Sequence, residues 1–229
     1  MSGRAWVAGG TGGIGAACVA GLRADGFTVH ASDRPSEDVC LPGVADSVAG
    51  RLAAEGGLTA AVHAVGMSGR SLGDGPLSTC TDQAWDEVLR VDLTSVFRFL
   101  RSCLRHADRG ASVVVIGSTL AGRIHRDFQT AAYRIAKAAL VPLVEAAAYE
   151  GADRGIRVNL VAPALVETPM SARALSDERI RARFAELMPL TSRPSQPSEV
   201  AAAVRWLVGD GSPHTTGAVL PVDGGWRLC

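Results

Sequence analysis

Near its start the chain reads Arg4-Ala5-Trp6-Val7-Ala8-Gly9-Gly10-Thr11-Gly12-Gly13-Ile14-Gly15, and this stretch decides the architecture of the whole chain. Its first five residues form an apolar run typical of a buried strand, and a helix-forming segment, 16–24, comes after the glycines. Gly9, Gly13 and Gly15 stand at the positions where a side chain would block the tight turn, the approach of the backbone to a pyrophosphate, and the close packing of the helix on the strand. The pattern predicts a loop that binds a dinucleotide pyrophosphate with the free N–H groups of a helix N-terminus, and we expect Thr11 and Ile14 to contact it too.

The second predicted strand ends at Asp33. A carboxylate there accepts a hydrogen bond from the 2′-hydroxyl of the adenosine ribose and repels a 2′-phosphate, which favours NAD over NADP. Arg34 is the competing feature, because a guanidinium would pair with that phosphate. Gly12, however, leaves the loop without a basic side chain. The alternative for Asp33 is a solvated turn acid; Asp38 and Val39 lie next along the chain as a candidate adenine contact.

Apolar runs alternate with helical segments along the rest of the chain. Further strands are predicted at 59–66, 111–116, 156–162 and 217–222, with helices between them. This alternation predicts an α/β fold in which one Rossmann-like domain, residues 1–229, holds a doubly wound parallel sheet with helices on both faces. Ligands bind at the carboxyl ends of such strands, where Gly66, Ser118 and Pro163 lie.

Composition narrows the choice of partner. The chain is 47% hydrophobic and 20% charged, and its 23 Lys and Arg equal its 23 Asp and Glu. Without a long run of one sign, neither nucleic acid nor an anionic membrane is indicated, which leaves a small molecule. The five cysteines are scattered without metal spacing, as in a reduced cytosolic protein, and no metal site is expected. No signal-type or membrane-spanning apolar stretch is visible, so we expect a soluble cytoplasmic protein.

Tyr133 and Lys137 stand four residues apart in a segment that reads as helix, so their side chains share one face. A free tyrosine titrates near pH ~10, and proton exchange at neutral pH requires a shift of roughly 3 units, or about 4 kcal/mol. A nearby cation such as Lys137 supplies a shift of that sign. The pair is therefore a candidate general acid/base for an alcohol or a ketone, the alternative being a solvated helix face.

These motifs together resemble the short-chain dehydrogenase/reductase family from end to end. The resemblance is carried by Gly9-x-x-x-Gly13-x-Gly15, a Ser/Thr pair at 118–119, Tyr133-x-x-x-Lys137, Asn159-Leu160-Val161-Ala162-Pro163 and Asp223-Gly224-Gly225. It implies a sheet of about seven strands, NAD(P)-dependent interconversion of an alcohol and a carbonyl, and a homotetramer or homodimer. It also implies that Tyr133 is the acid/base and that Lys137 lowers its pKa and holds the nicotinamide ribose. Ser118 would orient the substrate oxygen, with Thr119 as the alternative. Gly66, Pro163 and Thr168 complete the expected cofactor site.

Several positions depart from the family pattern. Ala8, His63-Ala64-Val65-Gly66 and Ala164 replace a Thr, an Asn-Asn-Ala-Gly segment and a Gly. We expect His63 to be a packed strand residue rather than a catalyst. Asp92 stands where the family has its fourth catalytic residue, an Asn whose main-chain carbonyl holds a water that links the lysine to solvent. Ionised near Lys137, Asp92 would favour the ammonium; a helix-surface acid is the alternative.

The substrate side is predicted from two segments. Residues 164–198 resemble the family's mobile flap, which covers the substrate and excludes water. The loop Arg123-Ile124-His125-Arg126-Asp127 leads towards Tyr133, and its two guanidinium groups favour a polar or anionic substrate, such as a hydroxy acid or a carrier-linked acyl group. The alternative is that both arginines point outwards and pair with Asp127 or with a neighbouring subunit.

Two functions are consistent with the sequence. The first is an NAD-dependent oxidoreductase for a secondary alcohol or ketone, oligomeric through the helices at 85–104 and 133–149. The second is a non-catalytic protein that senses NAD or another ligand with the same fold. The Tyr133, Lys137 and Ser118 set favours the first.

Overall fold

The computed structural model describes residues 3–229, which form one six-stranded parallel sheet with helices on both faces. The strands are β1 Arg4–Ala8, β2 Thr28–Ser32, β3 Ala60–His63, β4 Ser112–Ile116, β5 Arg157–Pro163 and β6 Val219–Val222. The helices are α1 Gly13–Ala24, α2 Val44–Ala54, α3 Asp82–Leu89, α4 Ser95–His106, α5 Ala131–Gly151, α6 Ala172–Ser176, α7 Glu178–Arg181, α8 Phe184–Leu187 and α9 Pro197–Val208. The strand order is β2-β1-β3-β4-β5-β6, so the Rossmann-like class predicted from the alternation is confirmed.

Alternate residues of the strands supply two hydrophobic cores, one on each face of the sheet. Trp6 and Ala8 of β1 face α2, α4 and α5, while Ala5 and Val7 face α1 and α9. The rings of Trp6 and Phe99 meet with their centroids 4.5 Å apart. Burial on both faces explains why the strands read as continuous apolar runs.

The sheet has six strands among residues 3–229, whereas the family resemblance implies about seven. The difference lies after β2, where residues 33–43 form turns and lead directly into α2. This segment is too short for an additional strand with its own helix. As a result β2 is the edge strand of the sheet.

The helical segment 82–106, which contains the helix predicted at 85–104, is continuous but not uniform. Thr81 caps α3 by accepting a hydrogen bond from the amide of Ala84 at 3.1 Å. Between α3 and α4 the residues Arg90–Thr94 form a π-helical turn, and Asp92 lies within it. Turns of this kind occur often at functional sites because they change the direction in which side chains point.

The predicted flap at 164–198 is a set of short helices, α6 to α8, with one isolated bridge between Val166 and Ser195. It has a small hydrophobic core of its own, in which Leu187 and Met188 pack with Phe128 and Trp226.

No helix within 3–229 has the length and apolarity needed to cross a membrane. Met1 and Ser2, part of the start for which the sequence predicts no signal segment, lie outside the described residues.

Candidate active site

The glycine loop between β1 and α1 is packed so closely that side chains are excluded. A Cβ on Gly15 would lie 2.0 Å from the carbonyl oxygen of Gly9, and one on Gly9 would lie 2.9 Å from the backbone nitrogen of Val65. Gly9 and Gly13 also have positive φ values of 79° and 50°. The space around Gly12, the N-cap of α1, is open, and no side chain caps the helix. Free helix N–H groups beside open space are the donor set that the phosphates of a dinucleotide require.

Asp33 follows β2 at the edge of this loop. Its carboxylate accepts hydrogen bonds from the hydroxyl of Thr11 at 2.5 Å and from the amide of Arg34 at 2.8 Å. Burial alone would raise the pKa of Asp33, but the combined effect of these hydrogen bonds is larger and has the opposite sign. The pKa of Asp33 therefore lies below its ordinary value. The structure therefore brings Thr11 and an ionised Asp33 together, while the side chain of Arg34 is exposed.

The predicted adenine contact at Asp38 and Val39 is only partly available. The carboxylate of Asp38 accepts a hydrogen bond from the amide of Cys40 at 2.9 Å. Val39 is 2% exposed and packs in the core beneath α2. The side chain of Val39 is thus committed to packing, which leaves its main chain for a nucleotide. Thr168 lies over the glycine loop, since a Cβ on Gly13 would meet its methyl group at 3.2 Å.

Tyr133 lies near the start of α5, and Ser118 follows the end of β4. Both side chains line one cavity, and Ser118 is close enough to the phenol to lower the pKa of Tyr133; the hydroxyl of Ser118 also accepts from the amide of Leu120 at 3.2 Å. The neighbouring Thr119 points elsewhere, because its hydroxyl donates to the carbonyl of Pro163 at 2.6 Å. The sequence does not decide whether Ser118 or Thr119 accompanies Tyr133. In the structure the hydroxyl beside Tyr133 is that of Ser118.

Lys137 lies one helical turn beyond Tyr133 and forms a buried ion pair. Its Nζ is 3.0 Å from Oδ1 of Asp92 and 3.2 Å from the carbonyl oxygen of Ile116, and it lies 5.7 Å from the centre of the Tyr133 ring. Asp92 also accepts from the amide of Met67 at 3.2 Å. Because Asp92 is completely buried, the alternative of a helix-surface acid is wrong.

A glycine leaves the space for this carboxylate. A Cβ on Gly66, just beyond β3, would lie 2.8 Å from Oδ1 of Asp92 and 3.5 Å from the ammonium of Lys137. Gly66 therefore lies beside Asp92 and Lys137, at the strand end where the sequence predicts a ligand.

The pKa of Tyr133 is raised above its ordinary value, chiefly because the phenol is buried. Burial raises the pKa of the phenol, Lys137 lowers it, and Asp92 raises it again, with a net pKa above the ordinary value. The prediction that Lys137 lowers the pKa of Tyr133 holds for the pairwise effect only, because burial of the phenol outweighs the ammonium and Asp92 opposes it as well. Burial lowers the pKa of Lys137, but Asp92 and Tyr133 raise it above its usual value. The phenol and the ammonium both keep their protons at neutral pH.

Asp74 supports Tyr133 from a loop in which the sequence shows no motif. Its carboxylate accepts hydrogen bonds from the amides of Ala132 and Tyr133, both at 3.0 Å, and it is 4% exposed. Thr130, in the usual N-cap position of α5, makes no side-chain cap. Asp74, 58 residues before Ala132 in the sequence, therefore caps the N-terminus of α5 in place of Thr130. Because this partner is distant in the sequence, local patterns do not reveal it.

His63 is a packed strand residue, as predicted. Its Nε2 is 3.0 Å from the hydroxyl of Ser95, and its ring meets that of Phe99 edge-on at 5.2 Å. Burial lowers the pKa of His63 to about 3, so the imidazole is neutral.

A cavity of about 390 Å³ opens between Tyr133 and the flap. Apolar side chains line part of it, among them Phe128, Leu165 and Trp226, and two arginines, Arg70 and Arg173, line it as well.

The loop 123–127 does not contribute its arginines to this cavity. Arg123 donates to the main-chain oxygen of Cys229 at 3.0 Å, and Arg126 is exposed. Asp127 pairs with Arg183 of the flap, which draws the loop back onto the flap. The prediction that Arg123 and Arg126 border the pocket is wrong, because long-range pairing decides where this loop lies.

Comparison with known proteins repeatedly finds reductases and dehydrogenases. A family model described as enoyl-(acyl carrier protein) reductase matches residues 36–227. An acetoacetyl-CoA reductase from Allochromatium vinosum is 34% identical over 96% of this chain and 97% of its own length. A 3β-hydroxysteroid dehydrogenase from Eggerthella lenta is 37% identical over 64% of this chain, and the match spans just over half, 56%, of that relative. A variant of the actinorhodin polyketide ketoreductase solved with NADPH has a TM-score of 0.88 and 28% identity, covering 100% of this chain and 98% of that one.

Proposed function

Because this chain belongs to the short-chain dehydrogenase/reductase family, we propose that it is an NAD-dependent oxidoreductase that interconverts a secondary alcohol and a ketone. The observation that carries the proposal is that Ser118, Tyr133 and Lys137 line the same cavity. The relatives named for acetoacetyl-CoA and for a hydroxysteroid act on very different molecules. Their names share only a carbonyl or hydroxyl group, which is the part of a substrate that these three side chains would meet.

In the reducing direction Tyr133 donates the proton of its phenol to the ketone oxygen, and it takes that proton back in the oxidising direction. Ser118 holds the same oxygen by a hydrogen bond, which fixes the carbonyl next to the phenol. When bound, the nicotinamide supplies the hydride to the carbonyl carbon or accepts it from the alcohol. Lys137 remains an ammonium, as its raised pKa indicates, and stabilises negative charge that develops on the phenol.

The preference for NAD over NADP rests on Asp33. Its lowered pKa keeps it ionised, and a 2′-phosphate on the ribose would meet this negative charge, whereas a 2′-hydroxyl would donate to it. Gly12 adds no positive charge to the loop. The ketoreductase solved with NADPH demonstrates that the fold itself takes the phosphorylated cofactor, so the preference depends on this side chain and not on the architecture.

We further propose a cytoplasmic homotetramer or homodimer. Phe97 on α4 and Ile135 and Tyr149 on α5 are apolar or aromatic side chains that are 44%, 40% and 89% exposed. Two-fold pairing of these helices would cover them. Light scattering at micromolar concentration is expected to give two or four copies, and a monomer would contradict the proposal.

The function is tested by measuring NADH and NADPH absorbance with purified protein and a broad panel of ketones and secondary alcohols. We expect turnover with NADH for at least one class. Tight binding of NADH without turnover on any member of the panel would instead support a sensor that uses the same fold.

A further inference from the structure

We propose that Arg70 and Arg173 form a binding site for an anionic group of the substrate, a carboxylate or a phosphate ester. This inference rests on the proposed oxidoreductase function and adds the class of substrate to it. The substrate would be a ketone or alcohol that carries its negative charge away from the reacting carbon.

The two arginines reach one cavity from separate parts of the chain. Arg70 begins a short 3₁₀ turn in the loop after β3, and Arg173 lies on α6 of the flap. Both line the cavity that Tyr133 and Ser118 line. The loop is held tightly where Arg70 leaves it, because a Cβ on Gly69 would lie 2.4 Å from Val88.

Neither guanidinium group has a partner within residues 3–229. No carboxylate lies within ion-pair distance of Arg70 or Arg173, and neither side chain donates a hydrogen bond. Elsewhere on the flap, Arg179 and Arg183 are paired with Asp177 and Glu186. Arg173 is thus unpaired although Arg179 and Arg183 of the same flap are paired; Arg181, which is exposed and does not line the cavity, has no ion pair among residues 3–229 either.

The two positive charges also act on each other. Burial lowers the pKa of Arg70, and the guanidinium of Arg173 lowers it further. Asp74 opposes this effect, but its oxygens are occupied by the amides of Ala132 and Tyr133. An oxyanion between the two guanidinium groups would remove their repulsion and take two charge-assisted hydrogen bonds from each planar fork.

The position of the pair favours the substrate over the cofactor phosphates. Arg70 is adjacent to Asp74 and so to the start of α5, where Tyr133 lies. The glycine loop instead packs against Ala64, Val65 and Thr168. Because Arg173 is on the flap and Arg70 is not, an anion that binds both would also hold the flap over the reacting carbon.

The test measures binding and turnover with matched pairs of ligands. One series consists of straight-chain oxo acids of increasing length with their methyl esters. The other compares acetoacetyl-CoA, which carries phosphates, with acetoacetyl-N-acetylcysteamine, which carries none. Titration calorimetry on protein saturated with NAD⁺ gives Kd, and NADH oxidation gives kcat and KM.

The variants are Arg70→Gln and Arg173→Gln, which remove charge but keep most of the length. Arg181→Gln is the control, since Arg181 is exposed on the same flap and does not line the cavity. We expect at least one charged ligand to bind at least about tenfold more tightly than its neutral partner, a difference of ~1.4 kcal/mol. Either cavity variant should abolish this preference, while Arg181→Gln keeps it and the neutral ligands are unaffected.

The outcomes separate the two ligand chemistries and the two proposals. A preference confined to the oxo acids identifies a carboxylate, and one confined to acetoacetyl-CoA identifies a phosphate. Turnover with equal KM for charged and neutral partners overturns the anion site but leaves the oxidoreductase function intact. A preference that survives both substitutions, or an effect of both on the KM for NADH alone, also overturns it. Absence of turnover with every ligand counts against the function itself, and the calorimetric preference then decides the anion site separately.

Discussion

The ammonium of Lys137 and the carboxylate of Asp92 lie 3.0 Å apart, and their side chains are 4% and 0% exposed. The family places an Asn at the second position and uses its main-chain carbonyl, which the change to Asp leaves in place. The new feature is a buried negative charge beside the lysine. This charge raises the pKa of Lys137, and it raises the pKa of Tyr133, which the ammonium alone would lower.

Asp92→Asn removes this charge and keeps the shape of the side chain. The pKa values of Tyr133 and Lys137 should both fall, because Asp92 raises each of them. Ketone reduction requires the protonated phenol, so the alkaline limb of kcat/KM should move to lower pH. The free energy of unfolding should drop by up to about 3 kcal/mol at neutral pH, since the ammonium loses its buried partner.

The stability effect has a defined pH window. The pKa of folded Lys137 lies above its ordinary value of 10.5, so the stabilisation by the pair is lost as the pH rises through that folded value. On the acid side the pair is lost when Asp92 takes up a proton, and burial raises the pKa of Asp92 above its ordinary value. Asp86→Asn on the exposed side of α3 is the control and should change neither stability nor the pH profile. An unchanged profile in Asp92→Asn would show that Asp92 does not act on the phenol.

Tyr133→Phe removes the proton and keeps the ring. Turnover should fall by at least ~10²–10⁴-fold, the range for loss of a general acid/base, while the Kd for NADH stays nearly constant. The chain contains one other tyrosine, Tyr149, which lies on the same helix and is 89% exposed. Tyr149→Phe should therefore keep full activity. More than about a tenth of the normal rate in Tyr133→Phe would show that another group carries the proton.

Asp33→Ala should narrow the gap between NADH and NADPH by removing the charge that repels the 2′-phosphate. The change also deletes the 2.5 Å hydrogen bond from Thr11. Thr11→Ala deletes the same bond but keeps the carboxylate, so it separates the two effects and should keep the preference for NADH. Equal kcat/KM with both cofactors in the unmutated protein would contradict the assignment of Asp33.

The parts of the site that the sequence predicts are those encoded by local spacing. The glycine loop and the Tyr133, Lys137 pair lie within single turns of chain, where backbone geometry brings residues together. Asp92 is ambiguous in the sequence because a π turn interrupts the helical periodicity there. Asp74 and Arg70 carry no local signal, since they act from a loop whose path depends on tertiary packing. The same kind of long-range contact, Asp127 with Arg183, carries the loop 123–127 away from the cavity.

Asp74→Ala tests whether this distant cap positions Tyr133. Two amides at the start of α5 would lose their acceptor, which should cost about 1–2 kcal/mol of unfolding free energy. Because the helix start carries Tyr133, kcat should also fall by roughly tenfold or more, as small displacements of a catalytic group do. Asp74→Asn keeps one acceptor oxygen and should give intermediate losses in both quantities.

Thr81→Ala is the matched control, because Thr81 caps α3 through the amide of Ala84 and also donates to the carbonyl of Leu72 at 2.6 Å. It therefore removes a helix cap and a contact of the same loop while Asp74 stays in place. It should cost a similar free energy of unfolding, measured by denaturant titration, without changing kcat. If Asp74→Ala lowers stability to the same extent as Thr81→Ala and leaves kcat unchanged, Asp74 is a structural cap only. A fall in kcat confined to Asp74→Ala, with the Kd for NADH unchanged, would show that the cap sets the position of the phenol.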